Sequence, residues 1–213
     1  PGDRLLLIGG GTFANAIFVF TNASDGTVDI SGNSTITYTG LEPITSSITA
    51  TNVTLNYSVT GETLNVTDAT GGQTTVTSNT SAETITFNNP TGTLTINAGD
   101  TGNDIVNVNS LATGFAGNVT INGQSGTDTV YLNGNVSLAS GKSLAVNGDI
   151  INVIANANLS TTGAGTVALT ADRNIAMSAG SSITAVDGGI TLQANLAGTL
   201  AGDFIGIFLI DAD

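Results

Sequence analysis

The sequence contains no cysteine, no histidine and no tryptophan, and its lysines and arginines number 3 against 16 acidic residues. Without cysteine there is neither a disulfide framework nor a thiolate metal site. Without histidine the chain lacks the commonest general base and the commonest nitrogen ligand for metals. Arg4, Lys142 and Arg173 are the only cations in a chain of formal charge −13. No basic surface can be assembled from them, so nucleic acid is not an expected partner, and neither is an anionic bilayer surface. Membrane insertion is not expected either, because no apolar run is long enough to span a bilayer. The chain opens on Pro1 and no secretory leader is evident, as expected of a piece processed or excised from a longer protein.

Charged residues make up 9% of the chain, yet 40% is hydrophobic. That balance is too apolar for disorder and too poor in charge for exposed helices. Threonine and valine favour pleated surfaces, while 28 glycines and many asparagines suit turns with positive φ. The composition points to an all-β fold.

Between Leu94 and Leu132 one pattern is written twice, as TLTINAGDTGNDIVNVN and NVTINGQSGTDTVYLNG. Leu94 and Ile96 answer Val119 and Ile121, and Val106 and Val108 answer Val130 and Leu132. Gly99, Gly102 and Asp104 recur 24 positions later as Gly123, Gly126 and Asp128. Each copy reads as strand, glycine-rich turn, strand, with apolar and polar residues alternating. So short a unit cannot bury its own apolar face and must stack on its neighbours. From Val136 the rhythm shortens. Val136, Leu144, Ile151, Leu159, Val167, Ile175, Ile183 and Ile190 stand seven or eight residues apart, and three such faces again make a coil of about 24. The expected architecture is a right-handed parallel β-helix (a β-solenoid), three-sided in its C-terminal half, the hand following from the usual sense of parallel crossovers.

The expected organisation has four parts. Residues 1–24, with the runs LLLI and IFVF, read as N-terminal cap or junction strands. Residues 25–91 are an irregular β-rich segment whose strand pairing is not legible, with Pro43 marking a loop or a change of sheet. Residues 92–203 form the regular solenoid, and 204–213 an apolar strand or a junction to a next module. Solenoid ends must be closed or they expose core and strand edges. Leu5, Leu6, Leu7 and Ile8 at one end, and Phe204, Ile205, Ile207, Phe208 and Leu209 at the other, are therefore candidate assembly residues, joining neighbouring modules or further copies of the chain.

The segments TYTGLEP, NNPTGTLTINAGDTGNDIVNVNSL, GFAGNVTINGQSGTDTVYLNG and AGSSITAVDGGITLQAN resemble very large bacterial surface proteins of β-strand repeats, similar to filamentous haemagglutinin and autotransporter-type adhesins. The resemblance implies a secreted or cell-surface β-solenoid serving as stalk, adhesive surface or matrix component. It implies no catalytic residue.

GDTGNDIVN and GQSGTDTVY also approximate the calcium nonapeptide, whose aspartate and turn carbonyls enclose Ca²⁺. Asp100, Asp104 and Asp128 are thus candidate Ca²⁺ ligands. Against this, Asp100 and Gln124 stand where the motif has its second glycine, there are only two copies, and their spacing exceeds that of successive nonapeptides. On the competing reading the aspartates simply bond local backbone amides in tight turns. A polysaccharide lyase or hydrolase would want paired carboxylates, a basic residue and aromatic rings to stack sugars; with three cations and no tryptophan, the expected protein is not an enzyme. The expectation is a structural repeat module of an extracellular fibre, stalk or adhesin, with a carbohydrate-binding, calcium-assisted adhesin domain as the alternative.

Overall fold

The computed structural model describes residues 3–58, 61–79, 83–196 and 206–209. Among these residues there is no helix, and the strands lie mostly in one large, largely parallel sheet of 17 strands. Strands β1 (Leu5–Leu7), β2 (Thr12–Phe20), β3 (Gly26–Ile30), β4 (Ile36–Tyr38), β5 (Ile44–Ser46) and β6 (Thr49–Tyr57) come first. They are followed by β7 (Thr63–Asp68), β8 (Gln73–Ser78), β9 (Thr84–Asn88), β10 (Thr93–Asn97), β11 (Ile105–Val108), β12 (Asn118–Asn122) and β13 (Thr129–Leu132). The last are β14 (Val136–Ser137), β15 (Leu144–Val153), β16 (Asn158–Thr161), β17 (Val167–Met177), β18 (Ser182–Ala185), β19 (Ile190–Gln193) and β20 (Ile207–Leu209).

The duplicated motif pairs with itself in parallel: Leu94 lies opposite Val119 and Ile96 opposite Ile121, while Val106 lies opposite Val130 and Val108 opposite Leu132. The later anchors fall into three columns: Val136, Leu159 and Ile183; Leu144, Val167 and Ile190; Ile151 and Ile175. Alternation explains the core. In β10 to β13 every second side chain is buried, so stacked strands place apolar rungs one above another inside. The spacing is not constant. Val130 pairs with Ile151, a closer step than 24, because β15 crosses from one column to the next through a bulge between Gly148 and Ile150 instead of a full glycine turn.

The first half has an order that the sequence pattern did not reveal. β1, β5 and β9 pair in parallel, as do β2, β6 and β10, and β7 pairs with β11. Two antiparallel excursions lengthen the chain between these parallel partners. β3 and β4 fold back beside β2, and β8 runs between β7 and β9. Register therefore steps from Leu64 to Val106, about 40 residues rather than 24. The apolar run IFVF does not form an outermost strand. Ala16, Phe18 and Phe20 are buried, and β2 is paired on both edges, with β4 outside it.

The outer faces carry amide ladders. The Asn97 side chain donates to that of Asn56 at 2.6 Å, Asn122 to Asn97 at 2.7 Å and Asn147 to Asn122 at 2.9 Å. Within the ladder Asn97 and Asn122 both give and accept, so an outer column is satisfied without charge.

Candidate functional site

Glu62, Asp104 and Asp128 each stand one step before a strand, in phase with its buried residues. Glu62 precedes Leu64 and Val66, Asp104 precedes Val106 and Val108, and Asp128 precedes Val130 and Leu132. The parity turns three carboxylates inward, and each is 0–1% exposed. They form a ladder with Asp149. Asp104 Oδ1 accepts the backbone N–H of Glu62 at 2.6 Å, Asp128 Oδ1 that of Asp104 at 2.8 Å, and Asp149 Oδ2 that of Asp128 at 2.9 Å. The second oxygens of Asp104 and Asp128 have no partner.

Burial pushes the Asp128 carboxyl up to about 6; the Asp104 N–H opposes this, and the charges of Asp104 and Asp149 add to it. The Asp104 carboxyl is raised by burial, held back by the Glu62 N–H and raised further by the Glu62 charge. The duplicated glycines make room for this stack. A Cβ on Gly123 would sit 2.8 Å from Asp128 Oδ2, and one on Gly126, at φ 135°, would run into the Gly102 carbonyl of the turn below.

Asp104 and Asp128, two of the three candidate calcium ligands, are thus neighbours in one ladder. Asp100 is exposed and takes no part in it. No group of three or more acidic side chains converges as a metal cluster among the described residues. The competing reading, local amide bonding, needs correction. The amides served lie at the start of the neighbouring parallel strand, 42, 24 and 21 residues away, because the parallel pairing sets successive turns side by side and brings the neighbour's N–H closer than the turn's own.

A second polar cluster went unnoticed in the sequence. Glu62, Ser78 and Glu83 point inward from just before β7, from the end of β8 and from just before β9, beside Tyr38 and Tyr57, and all five are buried. The Ser78 hydroxyl donates to Glu62 Oε2. Glu62 Oε1, both Glu83 oxygens and the hydroxyls of Tyr38 and Tyr57 have no hydrogen-bond partner. Burial pushes the Glu83 carboxyl up to about 8, with Glu42 and Asp25 adding. Burial also raises Tyr57, which feels the charges of both Glu62 and Glu83, and Tyr38, which feels Glu83 and Asp25. The available signal was parity, since Glu83 shares its phase with Ile85 and Phe87.

The apolar candidates divide. Leu7 is buried and Leu5 half-buried, whereas Leu6 and Ile8 are exposed. Phe204 and Ile205 lie outside the described residues. Ile207 and Leu209 are exposed, and Phe208 pairs in register with Ala176. Val186, Ile190 and Leu196 are also exposed. A groove of about 580 Å³ opens there, lined by Met177, Ile183, Ile190, Leu192 and Leu209. At the other end a groove of about 450 Å³ lies among Leu6, Ile8, Phe13, Ile36 and Ile48. On the flank, Asn122, Gln124, Asn147, Asp149, Thr170 and Asp172 line a polar notch of about 270 Å³.

These features define an all-β protein on a largely parallel sheet, polar along its flanks and apolar at both ends. Comparison with family models, with curated proteins and with solved structures finds no match.

Proposed function

We propose that this chain is a structural module of an extracellular bacterial fibre, stalk or adhesin, built as a right-handed parallel β-solenoid, and that its modules join end to end. One observation carries the reading. Every large hydrophobic side chain that is exposed among the described residues belongs to one of the two ends: Leu6 and Ile8, or Val186, Ile190, Leu196, Ile207 and Leu209. The strand edges are open at the same places. Among the described residues β4 pairs only with β3 and β1 only with β5, while β18, β19 and β20 each have a single partner. β4 is two antiparallel steps from β2, so it runs in the direction of β19, and one copy's β4 can extend another copy's sheet in parallel. A contact between two different surfaces repeats without closing and produces a filament.

A supporting feature is the uncharged amide ladders, which favour a long inert flank. A second reading, a carbohydrate-binding adhesin domain, has the polar notch beside Asp149 in its favour; glycan-array binding that EDTA abolishes would support it. The primary test is negative-stain microscopy with sedimentation velocity. The native chain should form rods several modules long, and I8D and I190D should each leave single particles while keeping the native circular dichroism. Single particles of the native chain at every concentration would refute end-to-end joining.

A further inference from the structure

The cluster of Glu62, Glu83, Tyr38 and Tyr57 is unusual in the number of buried oxygens without a partner: Glu62 Oε1, both Glu83 oxygens and both phenols. An ionised carboxylate taken out of water without compensation costs far more than a fold can sustain. Buried groups left unpaired in a structure point to a bound water or ion. No cation of the chain serves here. Arg4 is exposed before β1, the Lys142 ammonium donates to the Thr91 carbonyl at 2.7 Å, and Arg173 stands on β17, a strand that does not pair with those carrying the cluster. Protonation alone would remove charge but leave Glu83 with both oxygens, and the two phenols, still unpaired.

We propose that Glu62 and Glu83, with the hydroxyls of Tyr38 and Tyr57, form a seat for one divalent cation of the calcium class, taken up as the chain folds. Two carboxylates match a charge of +2. The donors are all oxygen, the set that hard cations choose and zinc or copper does not. Calcium also tolerates the mixed carboxylate and neutral-oxygen shell that this pocket offers, where magnesium demands a stricter octahedron and keeps its waters. Phe20 stacks on Tyr57 with ring centroids 4.5 Å apart and holds that phenol in place. The site is distinct from the ladder of Asp104 and Asp128, although Glu62 borders both. It does not depend on the proposed fibre role.

The test is to unfold the chain in chelator, refold it with millimolar Ca²⁺ or with EDTA, and measure bound metal by mass spectrometry after gel filtration. The expected result is about one Ca²⁺ per chain, with a higher Tm than in EDTA. E83Q should lose the ion and the Ca²⁺-dependent part of Tm, while D128N should keep both. If E83Q fails to fold, Tb³⁺ offers a second readout, because bound Tb³⁺ emits when a nearby tyrosine is excited. With no tryptophan and Tyr131 the only other tyrosine, Y38F and Y57F should each dim that emission and Y131F should not. A metal-free native chain, or an ion lost from D128N and kept by E83Q, would overturn the proposal.

Discussion

Asp128 uses its two oxygens differently, and two substitutions separate the roles. Oδ1 accepts the buried N–H of Asp104, whereas Oδ2 is unpaired. D128A strands that N–H and should cost about 1–3 kcal/mol, lowering the urea midpoint. D128N keeps an acceptor oxygen and removes the charge, so it should match or exceed the native chain above neutral pH. The pH dependence follows from the direction of the shifts. Asp128 and Glu83 hold their protons to about 6 and about 8 when folded, and lose them near 4 when unfolded. The folded state thus binds more protons between those values, and in EDTA the Tm should fall as pH rises from about 4 to about 8. A Tm that rose across this window would mean that the carboxylates are ionised and well compensated. Asp104 and Asp128 were legible because they are repeated at one spacing. Glu62 and Glu83 share the parity of their buried neighbours but are not repeated at one spacing, and what brings them together is how β8 runs between β7 and β9, which no local pattern around them announces.

At the scale of elements, the amide ladder and the glycine turns make different demands. Asn122 sits in mid-ladder and makes two amide hydrogen bonds, to Asn97 and from Asn147; N122A should cost roughly twice as much as N147A, about 1–2 kcal/mol in all, read by thermal denaturation. G126A should do far more damage. Its Cβ would enter the Gly102 carbonyl, and its φ of 135° is closed to alanine. A loss of about 4 kcal/mol or more is expected, seen as a chain largely unfolded under conditions where N122A remains folded. Column membership from β10 to β19 was legible because apolar anchors and glycines recur with nearly the spacing of the register. In the first half the hairpin of β3 and β4 and the strand β8 add antiparallel segments with the same alternation, so the same pattern covers two kinds of pairing. Alternation states which side chains face inward; it does not state which strand lies alongside.

For the whole molecule, charge opposes the association that the apolar ends favour. Each copy carries −13, so stacking copies end to end brings like charges together, and the cost falls as salt screens them. The screening length shrinks from about 30 Å at 10 mM salt to about 8 Å at 150 mM. Strand pairing and apolar burial act only at contact and are little affected over that range. Rod length at fixed protein concentration should therefore grow steeply with NaCl at pH 7, as followed by light scattering, and I190D should abolish the growth at every salt concentration. The opposite trend, rods that dissolve as salt is added, would mean that complementary charges hold the copies together. With three cations in the chain, one of them tied to Thr91, that arrangement has almost nothing to draw on. In the proposed assembly the junction falls instead where the sheet stops, at β4 and β1 on one copy and β18, β19 and β20 on the next, and Ile190, which continues the column of Leu144 and Val167, is the residue whose substitution tests it.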